Sequence, residues 1–200
     1  MSLRSTAIVS GLMCMLLSAA EASAQSVLEK VKREGSLNVC FAQGMPDNYK
    51  DPKTGQWTGV MFDLATELGK WMKVKIVPVE VGWDVAVLSL KQGTCDLFGS
   101  SIVYNAPRAM EVNYVRPFGA KGINVVIPKD NPKNLKNPWD LNNPNITLVA
   151  ELGTREQETA QRLYPKAKLL ATKVQSNIAI VEQVKRGDAD AAVLPAISIG

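Results

Sequence analysis

WDVAVLSLKQGTCDLFGS (residues 83–100) and NIAIVEQVKRGDADAAVLP (residues 177–195) are two copies of one pattern. Each begins with an amphipathic helical pattern, continues through Lys-x-Gly-x-x-Asp and ends in a short apolar run that is typical of a strand. The glycine of each copy stands where the end of a helix favours a left-handed residue. The repeat therefore predicts two similar α/β lobes.

Short apolar runs alternate with helical patterns along the rest of the chain. Several of these runs are nearly continuous in apolar residues, which indicates strands that are covered on both faces. Helices interleaved with such strands predict an α/β fold with mainly parallel sheets. The predicted strands are 36–41, 74–81, 95–99, 122–128, 146–150, 167–171 and 189–194, and the predicted helices are 60–72, 83–91, 155–163 and 175–186. The helix at 60–72 would carry an apolar stripe of Val60, Leu64, Leu68, Trp71 and Met72.

A seam between the lobes is predicted at residues 117–123 (PFGAKGI), where a proline and two glycines interrupt the strand patterns. We expect residues 25–118 to form the first lobe and residues 119–200 the second. The segment 128–145 is rich in proline and asparagine, but the spacing of Leu135, Trp139 and Leu141 predicts a short packed helix within it.

The N-terminus has the pattern of a cleavable signal peptide over residues 1–24. Arg4 supplies a positive charge, residues 7–20 are apolar, and Ala22-Ser23-Ala24 matches a signal peptidase site. The apolar run is shorter than the roughly 20 residues that a membrane-spanning helix needs. We therefore expect a periplasmic protein whose mature chain begins at Gln25.

The composition excludes several kinds of chemistry. The 200 residues contain no histidine, so His-ligated zinc and Ser-His-Asp or Cys-His catalysis cannot be built. The net charge of +4 comes from scattered charges without a basic block, which argues against a nucleic-acid partner. We expect neither a metal nor a cofactor.

The cysteines predict one disulfide. Signal cleavage would remove Cys14 and leave Cys40 and Cys95 in an oxidising compartment, where a single pairing exists. Two buried free cysteines are the alternative, since this residue type is often buried. The predicted location favours the bond.

The order of these parts over residues 37–195 resembles the periplasmic solute-binding proteins of ABC importers, in the family that captures polar amino acids and related small acids. The resemblance rests on the order and spacing of the motifs, which are LNVCF (37–41), GQWTGVMFDLATELGKWM (55–72), the repeat at 83–100, PRAMEVNYVRPF (107–118), VVIPKDNP (125–132), ELGTREQE (151–158) and KRGDADAAVL (185–194). It implies two lobes with a ligand cleft between them, a monomer and a membrane permease as partner. It also places Cys40 and Cys95 on neighbouring strands. Relatives continue past this point and return to the first lobe, so we expect the second lobe to be incomplete here.

The resemblance implies binding roles in the first lobe. Arg108 would bind the ligand's carboxylate, for which a guanidinium has suitable donors; the alternative is a surface arginine on a short helix that begins at Pro107. Ser100 and Ser101 stand at a strand end, where α/β sheets bind ligands. Trp83 would form a wall of the site or belong to the core.

In the second lobe, Thr154 and Gln157 have the spacing of a capping box, and the resemblance implies that the same turn binds the ligand's carboxylate. Arg155 would add a second positive contact or lie in solvent. The resemblance fails where relatives place an aspartate for the ligand's ammonium, because Leu194-Pro195 stands there. These features predict an organic acid without a recognised ammonium group, with an apolar body against Trp83 and Val103.

The sequence thus predicts an extracytoplasmic protein, not an enzyme, that delivers a small organic acid or amino-acid-like solute to a permease. One alternative is an enzyme that resembles cyclohexadienyl dehydratase, which would need a cleft acid or base, and none stands beside Pro195. Another is an accessory protein of a periplasmic quinoprotein dehydrogenase, because some such proteins carry cysteines placed like Cys40 and the Cys95-Asp96 pair.

Overall fold

The computed structural model describes residues 26–173 and 176–196, and the chain divides into two compact units, Met1–Gly35 and Ser36–Gly200. In the first unit, helix α1 (Val27–Glu34) begins at Ser26, whose hydroxyl accepts a hydrogen bond from the Glu29 N–H at 3.2 Å. The helix ends at Gly35, which has a left-handed conformation. The predicted signal peptide, with Cys14, lies outside the described residues.

The second unit contains two main sheets, and we call each sheet with its flanking helices a lobe. The elements of the first lobe are β1 (Ser36–Phe41), β2 (Tyr49–Lys50), β3 (Trp57–Thr58), α2 (Val60–Met72), β4 (Lys75–Glu80), a 3-10 helix (Trp83–Val85), α3 (Ala86–Lys91), β5 (Leu97–Phe98) and α4 (Ala106–Ala109). Its sheet has the order β4-β1-β5 with all strands parallel, and β2 and β3 form a separate antiparallel pair.

The second lobe has a four-stranded sheet of order β6-β9-β7-β8. Its elements are β6 (Ile123–Val126), a 3-10 helix (Pro138–Leu141), β7 (Thr147–Glu151), α5 (Arg155–Leu163), β8 (Lys168–Thr172), α6 (Asn177–Lys185) and β9 (Ala191–Pro195). Strands β7, β8 and β9 are parallel, and β6 runs antiparallel to β9. Buried aliphatic side chains from β7 and β9 form the core of this lobe.

The predicted two-lobed α/β fold is confirmed. Strand β1 and helices α2 and α5 have the predicted bounds, whereas the strand expected at 95–99 is reduced to Leu97–Phe98. Residues 83–91 divide into a 3-10 turn followed by α3. The structure adds α1, the β2–β3 pair and α4.

The apolar stripe of α2 is not the face that the helix buries. Val60, Leu64 and Trp71 are exposed, and the buried residues of the helix are Ala65 and Gly69. A Cβ atom at Gly69 would lie 2.7 Å from the Ile76 side chain on β4. The helix therefore contacts the sheet through its small residues. The predicted helix near Leu135 is a single 3-10 turn in which Leu141 is buried and Trp139 is exposed.

The repeated motif has the same structure in both lobes. Asp96 accepts a hydrogen bond from the Asn38 N–H at 3.0 Å, and its own N–H donates to the Asn38 carbonyl at 2.8 Å. Asp190 forms the same two bonds with Thr147, both at 2.8 Å. Each aspartate thereby joins its strand to the central strand of its lobe, β1 or β7.

The predicted disulfide is confirmed. Cys40 on β1 and Cys95, shortly before β5, are bonded across a Cα separation of 5.6 Å. Both residues are buried in the first lobe. Among the described residues, no helix is long and apolar enough to cross a membrane.

Candidate functional site

A cleft of about 570 Å³ lies between the two lobes. The first lobe lines it with the loop after β1, with Trp83, with residues 101–103 and with Arg108. The second lobe contributes the ends of β7 and β9 and the first residues of α5 and α6. The carboxyl ends of strands in an α/β sheet are where ligands commonly bind.

The lobes touch beside the cleft at Gly153. A Cβ atom at this position would lie 2.4 Å from the backbone of Asp84, and Gly153 has a φ of +79°. Only glycine satisfies both the close approach and the left-handed backbone without strain. The described arrangement is therefore one in which the lobes are closed on each other.

Arg108 reaches from the first lobe to the second. Its backbone is held by the side chain of Asn105, which caps α4. Its Nη2 donates to the Gly153 carbonyl at 2.9 Å and to Glu158 at 2.7 Å, and the side chain is only 15% exposed. Nε and Nη1 donate to no described residue. Arg108 lines the cleft and retains donors for a ligand.

Thr154 begins α5 as predicted. Its hydroxyl accepts from the Gln157 N–H at 3.3 Å and donates to the Glu151 carbonyl at 2.7 Å, so it is committed to the turn. The Gln157 side chain accepts from Gly153 rather than from Thr154, so the expected capping box forms only in part. Among the described residues, no group accepts a hydrogen bond from the N–H groups of Arg155 and Glu156. Those two donors, at the positive end of a nine-residue helix, remain for an anion.

The two serines differ in position. Ser101 lines the cleft, but Ser100 is buried and is not among the residues that the structure places along it. The Ser100 hydroxyl accepts from the Ala42 N–H at 2.9 Å and donates to the Ala42 carbonyl at 3.1 Å. The expected ligand contact of Ser100 is therefore corrected to a structural role, which joins β1 to the end of β5.

Trp83 lines the cleft and is also anchored to the first lobe. Its Nε1 donates to the Gln43 carbonyl at 3.1 Å, and its ring meets Phe98 edge-on at 5.8 Å. Val103 lines the same cleft. Both parts of the expected apolar wall thus face the cavity.

Arg155 differs from its expected role. Its Nη1 donates to the Lys121 carbonyl at 2.6 Å and its Nη2 to the Gly122 carbonyl at 2.9 Å. These carbonyls belong to the segment in which the seam was predicted. The guanidinium lies at the cleft but is occupied by this backbone, with Nε buried and without a partner among the described residues.

Glu151, the last residue of β7, was missed by the sequence analysis. It lines the cleft, and burial together with the nearby charges of Glu156 and Asp84 raises the pKa of its carboxyl to about 8. The rule that drew attention to Ser100 and Ser101, that ligands bind at the carboxyl ends of strands, applies equally to this position. The loop after β1, which includes Met45 and Asp47, was also missed.

Comparison with known proteins identifies the family of the chain. The profile of the bacterial extracellular solute-binding proteins, family 3, matches residues 37–193. The probable histidine-binding protein of Campylobacter jejuni is 26% identical over 133 residues, which cover 65% of this chain and 51% of the relative. The chain spans about half the length of the curated relatives it matches.

Two solved structures are similar in fold and sequence. The ancestral amino acid-binding protein AncCDT-1, described as a precursor of cyclohexadienyl dehydratase, has a TM-score of 0.78 and 31% identity, with 86% of this chain and 74% of that chain covered. A putative ABC-transporter binding component from Wolinella succinogenes, complexed with lysine, has a TM-score of 0.71 and 31% identity, with 80% and 68% covered.

Proposed function

Because the chain belongs to family 3 of the bacterial extracellular solute-binding proteins, we propose that it captures a small organic acid or amino-acid-like solute for ABC-type uptake. The observation that carries the proposal is a cleft in which each lobe presents hydrogen-bond donors that the described residues leave free. Arg108 offers Nε and Nη1 from the first lobe, and the start of α5 offers two N–H groups from the second.

A carboxylate suits these donors. It would accept from the guanidinium on one side and from the helix N-terminus on the other, and charge-assisted bonds of this kind are among the stronger hydrogen bonds in proteins. A ligand held from both lobes stabilises the closed arrangement over the open one, since it contacts both lobes only when they are closed. Solute capture is therefore coupled to closure.

The proposal also covers the location of the protein, its oligomeric state and its partner. The protein would act in the periplasm as a monomer and deliver its solute to a membrane permease without changing it chemically. The named relatives support amino-acid binding, since one is described as a probable histidine-binding protein and another as an ancestral amino acid-binding protein.

A thermal-shift panel tests the proposal. Amino acids and small carboxylic acids are screened on the purified protein, each beside the amide that lacks its carboxylate. A ligand at 100 times its Kd stabilises the folded state by about 2.7 kcal/mol. We expect a shift with at least one acid and none with its amide; the absence of any shift, or an equal shift with the amide, would contradict the proposal.

A further inference from the structure

The charges that line the cleft are paired within the protein, with one exception. Its four cations each have an acidic partner among the described residues. The pairs are Lys50–Glu80, Lys121–Asp47, Arg108–Glu158 and Arg155–Glu156. The two cleft carboxylates in this list, Asp47 and Glu156, are thereby also paired. The carboxyl of Glu151 has neither a hydrogen bond nor an ion pair with any residue that the structure describes.

Glu151 lies where its unpaired carboxyl can contact a ligand in the cleft. It ends β7, and the pairing of Val149 with Ala192, continued by two residues, sets it level with Leu194 at the end of β9. Both residues line the cleft. The carboxyl that is absent at Leu194-Pro195 is thus present on the neighbouring strand.

The surroundings of Glu151 favour a cationic partner. The charged groups that act on it are Glu156, at the start of α5, and Asp84, on the facing 3-10 helix, and both are acidic. Their own counter-charges are Arg155 at 3.3 Å and Lys173 at 3.1 Å, which leave none for Glu151. A buried carboxylate without a partner is costly, so the empty cleft keeps the group protonated.

We propose that Glu151 binds a protonated nitrogen of the ligand and thereby selects an amine or guanidinium compound over an acid that lacks one. This inference rests on the proposed function, to which it adds the second charged group of the ligand. It replaces the sequence-based expectation of an acid without a recognised ammonium, which considered only the position of Pro195.

Binding of this kind releases a proton. At pH 7 the carboxyl, with its pKa of about 8, is mainly neutral in the empty cleft. A cation at hydrogen-bond distance favours the ionised form, so the proton leaves the carboxyl for the buffer as the ion pair forms. The affinity for such a ligand therefore increases as the pH rises toward 8.

Calorimetry tests the inference. The probes are L-lysine, L-arginine and L-leucine, each compared with the carboxylic acid of the same carbon skeleton without nitrogen, at pH 7 in phosphate and in Tris. We expect a nitrogen-bearing probe to bind with release of close to one proton. Glu151→Gln, which preserves the shape of the side chain, should weaken binding at least tenfold and abolish the release.

Glu182→Gln is the matched control, because Glu182 is exposed and paired with Lys185 on α6, and it should leave binding unchanged. Wild-type affinity in Glu151→Gln, an unchanged proton release in that variant, or equal affinity for the nitrogen-free acid would overturn the inference while leaving solute binding intact. If neither these compounds nor any member of the thermal-shift panel binds the wild-type protein, the proposed function fails and the inference fails with it.

Discussion

The central strands of the two lobes are built alike but end differently at the cleft. Asn38 on β1 and Thr147 on β7 form the same pair of bonds with an aspartate that follows a Gly-x-x spacing. When the two lobes are aligned on these bonded pairs, the disulfide partners Cys40 and Cys95 correspond to Val149 and Ala189. These two residues pack together in the core of the second lobe.

The difference appears at the strand ends. Ala42, after β1, has its backbone satisfied by the Ser100 hydroxyl. The corresponding positions in the second lobe are Glu151 and Leu194, and there the carboxyl has no partner among the described residues. The local motif therefore determines how the backbone of each lobe is assembled, whereas the side chain at the strand end determines what the lobe offers to a ligand.

Removing the disulfide should have the largest effect on stability. In the chain-entropy model, a bond between cysteines 55 residues apart stabilises by about 4 kcal/mol. Replacing both Cys40 and Cys95 by alanine should lower the free energy of unfolding by that order, measured by urea denaturation. A double variant as stable as the wild type would show that the first lobe does not depend on its crosslink.

The second lobe offers the complementary test. Because Val149 and Ala189 correspond to the bonded cysteines, changing both to cysteine should produce a second disulfide after oxidative expression. Mass spectrometry of the alkylated, denatured protein should find neither new thiol free. Two alkylated thiols at these positions would contradict the claim that Val149 and Ala189 are equivalent to Cys40 and Cys95.

Removal of the motif aspartates should have an intermediate effect, similar in the two lobes. Asp96→Ala and Asp190→Ala each leave a strand N–H without its charged acceptor, at a cost of about 1.5 to 3 kcal/mol. Asp188→Ala is the control, because this carboxylate is exposed and bonds only to Arg186 among the described residues. The free energy of unfolding of both variants is measured by the same denaturation. If only one of them is destabilised, the motif stabilises only that lobe.

Glu151 should add a dependence of stability on pH that the other variants do not test. Its pKa of about 8 lies above the ordinary value of 4.5, so the folded state retains a proton that the unfolded state loses. Its stabilising contribution is complete below pH 4.5 and is lost as the pH rises through 8. Glu151→Gln should therefore melt at the same temperature as the wild type at pH 4 and at a higher temperature at pH 8.5, where only the wild type has lost this contribution. A constant difference across the pH range would contradict the raised pKa.

Much of the fold was predictable from local patterns. The apolar run of β1 and the helical period of α2 are strong signals, and their bounds were obtained from sequence. The Gly-x-x-Asp spacing predicted the lobe repeat because the end of the helix, the glycine and the start of the next strand lie within one short connection. Thr154 was recognised as a cap for the same reason.

The parts that sequence did not predict depend on contacts between distant segments. Nothing beside Arg155 in the chain indicates that its guanidinium meets the carbonyls of Lys121 and Gly122. The small-residue face of α2 is chosen by Ile76 on a different element. Glu151 is a case of a different kind, since its strand was predicted and only its position at the end of that strand was overlooked.

The central claim is that a solute is held between the lobes by Arg108, and calorimetric titration of Arg108→Ala tests it most directly. The titrant is the amino acid or organic acid that gives the largest thermal shift with the wild type. Loss of a charge-assisted bond to a carboxylate should weaken binding at least 100-fold, whereas Arg186→Ala, which removes an exposed arginine paired with Asp188, should have no effect. Equal Kd values for the wild type and Arg108→Ala would contradict the account.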